Sequence, residues 1–306
     1  MPTITKQRPA GSKPRPSSGS ILSQAVAVAN LERAPLKVLL YGGNRVGKTT
    51  LACGFSKPLL LVSFEPAKSG GAESVRRIEG VHIVREGVHF KGLVGAVQLA
   101  NELKAGSEYR TVVVDSASSL QDLVLREILD LPATPDQMSW GMVSSDQYRQ
   151  RSEKTREALR PFLDLDVDTI ILSKEKDHNP PKEEKYNERT GKTSPDMRPK
   201  FLRGLQQESF IAADLGGATV GWLQDCCDCI CRLFVEEEVV TTKTVINKKE
   251  VTQSRPTGKY IRYLRTSYHP NFAAGVRSCQ PEDVPEVIVN PTAAKLIEVI
   301  RGKPLK

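Results

Sequence analysis

Gly42 to Thr49 reads GGNRVGKT, a run whose residue types suit one kind of chemistry. Its glycines let backbone N–H groups turn inward around an anion of phosphate size. Lys48 brings a positive charge to the outer phosphate oxygens, and the Thr49 hydroxyl is a hard oxygen ligand suited to Mg2+. Gly42, Gly43, Asn44, Arg45, Val46, Gly47, Lys48, Thr49 and Thr50 are therefore candidate nucleotide-binding residues. The context fits a phosphate loop: the apolar run LKVLLY precedes it and the helix-like TLACGF follows.

Two carboxylates stand where such a loop needs them. Asp115 closes the apolar run TVVVD, with Ser116 behind it, and joins Thr49 as a candidate Mg2+ ligand. Glu65 closes PLLLVSFE, the next strand-like run after the loop. Strand ends line the ligand crevice of an open parallel sheet, so Lys48, Glu65 and Asp115 are expected to converge there, with Glu65 orienting or deprotonating water.

The elements that must hold these residues alternate along the chain. Uninterrupted apolar runs at Lys37 to Tyr41 and Leu59 to Phe64 predict strands covered on both faces. Leu93, Val94, Val97, Ala100 and Leu103 fall at helical spacing within Phe90 to Leu103. TVVVD is then a strand, Ser119 to Leu129 and Asp146 to Phe162 helices, and TIILS (Thr169 to Ser173) a further strand. A strand around Cys229 to Glu236, a hairpin turning near Asn247 and Lys248, and a last helix capped by Asn290 and started by Pro291 follow. The fold class is α/β: one domain over residues 21–306, its mostly parallel twisted sheet carrying helices on both faces and a C-terminal β extension. Ile21 to Leu31 reads as a short helix and Met1 to Ser20, rich in Pro, Gly, Ser and basic residues, as a disordered tail.

The order of phosphate loop, strand-ending Glu65 and VVVDSASSL resembles the RecA core of P-loop ATPases. YGGNRVGKTTLACGFSKPLLLVSFE, EYRTVVVDSASSLQDL and the stretch from Trp140 to Asp177 are similar to the compact RecA-like ATPases of bacteriophages, a family that includes single-strand annealing and recombination proteins. The resemblance spans Leu36 to Asp177 and returns at Gly258 to Arg277. It implies ATP with Mg2+ as ligands, and single-stranded DNA, further copies of the chain with nucleotide between subunits, and a single-strand-binding protein as partners. It also implies catalytic roles for Lys174, at the place of a polar sensor that is often His, and for Arg277, as a finger toward a neighbouring subunit's nucleotide. A translocating motor, or an interaction module that binds nucleotide with little hydrolysis, is the alternative; Lys174 in place of the usual sensor favours the module.

The chain has 306 residues, 44 Lys+Arg against 36 Asp+Glu and a net charge of +8. No run reaches the roughly 18 apolar residues of a membrane span, and no apolar core follows the basic N-terminus, so a cytoplasmic location is expected, the host's if the gene is a phage's. The polar segment from Glu175 to Gln207 carries Lys182, Lys185, Arg189, Lys192, Arg198, Lys200 and Arg203, candidates for DNA phosphate contacts, while Trp140 or Tyr186 suits base stacking. Cys226, Cys227, Cys229 and Cys231 lack the paired spacing of a zinc site. Cys227, Cys229 and Cys231 alternate as one face of a core strand does.

Overall fold

A computed structural model describes residues 34–65, 70–131, 143–178, 186–187, 192–193, 210–246, 249–278 and 280–302. The basic tail, the Ile21 to Leu31 helix, Trp140 and most of the Glu175 to Gln207 segment lie outside them.

The strands are β1 (Lys37–Gly42), β2 (Leu59–Ser63), β3 (Val81–Arg85), β4 (Thr111–Asp115), β5 (Asp168–Asp177), β6 (Tyr186–Asn187), β7 (Lys192–Thr193), β8 (Ile211–Ala213), β9 (Cys229–Ile246), β10 (Lys249–Arg265), β11 (Gly275–Val276) and β12 (Val287–Val289). The helices are α1 (Lys48–Ala52), α2 (Gly92–Ala105), α3 (Ala117–Leu129), α4 (Ser145–Leu163), α5 (Gly217–Cys226) and α6 (Ala293–Arg301). One sheet runs β12-β10-β9-β1-β5-β4-β2-β3. The strands from β9 to β3 are parallel to one another, and β10 and β12 add antiparallel beyond β9. A mostly parallel α/β sheet with a C-terminal β extension is thus the observed architecture.

The unbroken apolar runs arise because both sheet faces are covered. Leu39, Tyr41, Val112, Val114 and Ile171 pack on one side with Ala96 and Ala100 of α2, Leu120 and Val124 of α3, and Leu159 and Phe162 of α4. Val38, Leu40, Val113, Ile170 and Leu172 pack on the other with Leu51 and Ala52 of α1 and Leu296 and Ile300 of α6. Entry into β1 is held by two aspartates: Asp168 accepts from Leu36 N at 2.9 Å and Asp228 from Lys37 N at 2.9 Å.

Several elements differ from the sequence reading. β3 was absent from it, since Val81–Arg85 is only half-buried and lacks a long apolar run. In α2 the buried residues are Ala96 and Ala100, while Val94, placed on the apolar face by its spacing, is 82% exposed. The last helix is capped by Thr292, whose side chain accepts from Lys295 N; Asn290 instead turns the chain out of β12 with φ 46°. β5 does not stop at Ser173 but runs through Lys174–Asp177, because β1 and β8 pair with that charged stretch. Cys229 and Cys231 do share a face, with their sulfurs 2.9 Å apart, but Cys227 ends α5 and packs on the opposite side of the sheet. β9 and β10 pair as an antiparallel hairpin from Ile246–Lys249 down to Arg232–Arg265, and the turn expected near Asn247 and Lys248 lies outside the described residues.

β1 and β9 approach so closely at their C-terminal ends that a Cβ on Gly42 would overlap the Leu233 carbonyl oxygen. Gly42→Ala must therefore push the two strands apart, and overpacking of this kind costs roughly 1–3 kcal/mol. Urea unfolding of Gly42→Ala should show that loss. A variant as stable as the parent would mean β9 does not seat against the start of the phosphate loop.

Candidate functional site

The site lies at the C-terminal ends of β1, β5, β4 and β2. The loop leaves β1 at Gly42 and enters α1 through Gly47, whose φ of 96° suits glycine; Arg45 also takes a left-handed conformation, with φ 63°. Lys48 Nζ donates to the carbonyls of Gly42 at 2.8 Å and Gly43 at 2.6 Å, so its side chain curls over the loop. Burial lowers the Lys48 pKa, and Asp115, Glu175 and Glu65, in falling order, oppose that shift.

β5 lies between the strand that bears the loop and the strand that bears Asp115. The Thr49 hydroxyl spans that gap and donates to Asp115 Oδ2 at 3.0 Å. Asp115 is buried, and its carboxyl is pushed up to about 6, mainly by desolvation and then by Glu65; the Thr49 bond and Lys48 pull it back. Glu65 lies two residues past the end of β2 and is half-buried. Its position relative to β4 is tied by Phe64 N donating to Asp115 O at 2.7 Å. Lys48, Thr49, Glu65 and Asp115 thus converge as the sequence suggested.

Hydrogen bonds explain why the DSASS run holds its shape. Ser116 caps α3 by accepting from Ser119 N at 3.2 Å. Ser118 Oγ lies 2.9 Å from Ser173 Oγ and accepts from Lys174 N at 3.1 Å, joining the first turn of α3 to β5. Lys174 sits beside Gly42 in the register with an exposed side chain, near enough to Lys48 to depress its pKa. Lys174 therefore joins the site.

Arg277 does not join its own chain's site. It follows β11, which pairs with the first residues of β9, and it donates from its backbone to Asp228 O at 2.7 Å and from Nη2 to Asp225 O at 2.8 Å. That is the end of β1 opposite the phosphate loop, because Cys229 pairs with Val38 while Leu233 pairs with Gly42. Tyr186 and Lys192 fall in the short strands β6 and β7, which pair with each other. The other proposed DNA-contacting residues lie outside the described positions.

Sequence reasoning missed Glu175 and its partner Arg232. Glu175 Oε2 accepts from Arg232 Nε at 2.9 Å, and a Cβ on Gly43 would lie 3.3 Å from Glu175 Oε1. Arg232 is packed under Phe272, 4.4 Å from guanidinium carbon to ring centre. The register explains the pairing: Arg232 lies beside Tyr41 on β1, the neighbour of β5.

The family profile described as AAA domain matches residues 34–278. The chain belongs to the AAA domain family. This AAA-type P-loop domain is similar to the flagellar accessory protein FlaH from Methanocaldococcus jannaschii, at 12% identity over 84% of this chain and 86% of that one, with a TM-score of 0.36. It is similar also to the KaiC-like protein PH0186 from Pyrococcus horikoshii OT3, at 15% identity over 84% and 91% of the two chains, with a TM-score of 0.37. No curated protein matches the chain. Among the described residues no helix of this AAA domain is long and apolar enough to cross a membrane.

The donor set fits Mg2+: a hydroxyl and a buried carboxylate, both hard oxygens, already within hydrogen-bond distance of each other. The burial of Asp115 sets a pH dependence. Its folded-state pKa of about 6 lies above the reference 3.8, so the folded protein holds the extra proton between those values and loses stability as pH rises through that window. At neutral pH the charged carboxylate costs on the order of 3 kcal/mol. Asp115→Asn should accordingly raise the unfolding temperature of nucleotide-free protein at pH 7.5 and leave it near the parent's at pH 4. Equal effects at the two pH values would show that burial of the charge is not the cause.

Proposed function

We propose that the protein is a Mg2+-dependent ATPase acting on single-stranded DNA in phage-type recombination, annealing or replication, assembled as a homo-oligomer with nucleotide at subunit interfaces. The convergence of Lys48, Thr49, Asp115 and Glu65 at the C-terminal ends of the parallel strands carries the hydrolytic part of this reading. The loop N–H groups and Lys48 bind and orient the triphosphate. Thr49 and Asp115 would hold Mg2+, which when bound supplies positive charge to the phosphate oxygens. Glu65 aligns a water for in-line attack on the γ-phosphorus and takes its proton as ADP departs. Lys174, within β5 beside Gly42, adds positive charge next to the loop. Arg277, facing away from its own site, acts in trans toward the nucleotide of an adjacent subunit.

The DNA part rests on the resemblance of Leu36 to Asp177 to phage annealing ATPases and on the basic residues between Lys182 and Arg203. Phosphate contacts by such residues release counterions and make affinity strongly salt-dependent.

ATP turnover measured with and without single-stranded DNA tests the whole proposal, stimulation being the expected result. Lys48→Ala should lose nucleotide binding or turnover. Glu65→Gln should keep ATP bound while hydrolysis falls by roughly 100-fold or more. Near-parental turnover in both variants would remove the catalytic assignment. For DNA, neutralising Lys192, Arg198, Lys200 and Arg203 together should flatten the log–log salt slope by about 0.7 per lost phosphate contact and leave ATP affinity alone. Trp140→Ala should instead weaken binding by about 1–3 kcal/mol at every salt concentration. Intact protein that binds no single strand with ATP and Mg2+ present would leave a nucleotide-dependent interaction module as the better reading.

A further inference from the structure

A second cation reaches the phosphate loop from outside the parallel core. Arg262 lies on β10 opposite Val235 of β9, and two residues on Leu264 lies opposite Leu233, the residue that pairs with Gly42. Leu264 and Leu233 are buried on the α1 side of the sheet. Strand residues two apart share a face, so Arg262 projects to that side as well, just past the end of β1. Its guanidinium fills the space that a side chain on Gly47 would take: a Cβ there would lie 2.9 Å from Arg262 Nη1, 3.8 Å from Cδ and 3.9 Å from Cζ.

Other arginines of the sheet have acidic partners. Arg232 is bound to Glu175 and Arg265 to Glu286, and Arg301 lies 3.5 Å from Asp168. Arg262 is paired with no carboxylate among the described residues, and its neighbour is a loop that itself carries Arg45 and Lys48. An exposed guanidinium beside such a loop has an obvious complement in a polyanion, since its planar fork matches two phosphate oxygens at once.

We infer that Arg262 is a nucleotide-binding residue, contacting the phosphate chain of the nucleoside triphosphate held by its own subunit's loop. The inference rests on the nucleotide reading of that loop. It makes β10, an element added beyond the P-loop core, part of the binding site, and it explains why Gly47 is free of a side chain on the face that Arg262 covers. Arg262 also differs in kind from Arg277, which is directed away from the loop of its own chain.

The test is equilibrium binding of MgATP, with inorganic tripolyphosphate as competitor, to the full chain and to Arg262→Gln, Arg262→Lys and Lys48→Ala. Loss of a charge-assisted contact should weaken both MgATP and tripolyphosphate by roughly 10- to 100-fold in Arg262→Gln. Arg262→Lys should recover part of that loss by restoring the charge without the fork. The unfolding temperature of nucleotide-free Arg262→Gln should match the parent's, because the side chain is exposed. Unchanged MgATP affinity in Arg262→Gln would overturn the inference. So would weakened MgATP with unchanged tripolyphosphate, which assigns the arginine to the nucleobase, or a loss of binding that tracks a lowered unfolding temperature. If the parent and Lys48→Ala bind MgATP equally poorly, the nucleotide reading fails first and this inference falls with it.

Discussion

One hydrogen bond, from the Thr49 hydroxyl to the Asp115 carboxylate, ties the phosphate loop to the end of β4 across the intervening strand. It crosses the width of β5, so it exists only if β5 separates β1 from β4 and those two strands end close to the same level along it. The register of the sheet meets that condition, with Gly42 beside Lys174 and Val114 beside Ile171. The apolar layers on both faces keep the register, because a slip by one residue would turn each strand's buried side chains to the wrong face. Packing of Leu39, Leu40, Ile170 and Ile171 is in this sense what aims the two oxygens.

The same geometry explains the electrostatic character of the site. Asp115 and Glu65 sit close enough to raise the Asp115 pKa, and burial raises it further. Lys48 is partly desolvated and holds its charge with help from three carboxylates. Charges of both signs are crowded where water is scarce, an arrangement that costs folding energy and strengthens each group's pull on a charged ligand.

Much of this was legible because it is local. The phosphate loop is a contiguous run, and Glu65 and Asp115 each close a strand that announces itself by apolar residues, so strand direction alone predicts that they meet. Glu175, Arg232 and Arg262 were not legible, because their roles depend on β9 adding parallel to β1 and on β10 folding back in one particular register. That pairing links positions nearly two hundred residues apart and leaves no local pattern. The charged run after Ser173 reads as the start of a loop until β8 and β1 are seen to pair with it. Asn290 and Thr292 both carry cap-forming side chains two residues apart, and what separates them is the turn out of β12.

The long hairpin of β9 and β10 is not uniform along its length. Its ladder runs in register from Arg232–Arg265 to Glu237–Tyr260, then shifts between Tyr260 and Pro256 before resuming toward the tip. Gly258, with φ 74°, sits in that irregularity. A bulge bends and twists a ribbon locally, so it divides the hairpin mechanically. The inner segment, paired with β12 and with β1, carries both Leu233 and Arg262. The outer segment, from Pro256 toward the tip, pairs only within the hairpin among the described residues, so it meets the rest of the sheet only through the bend at Gly258.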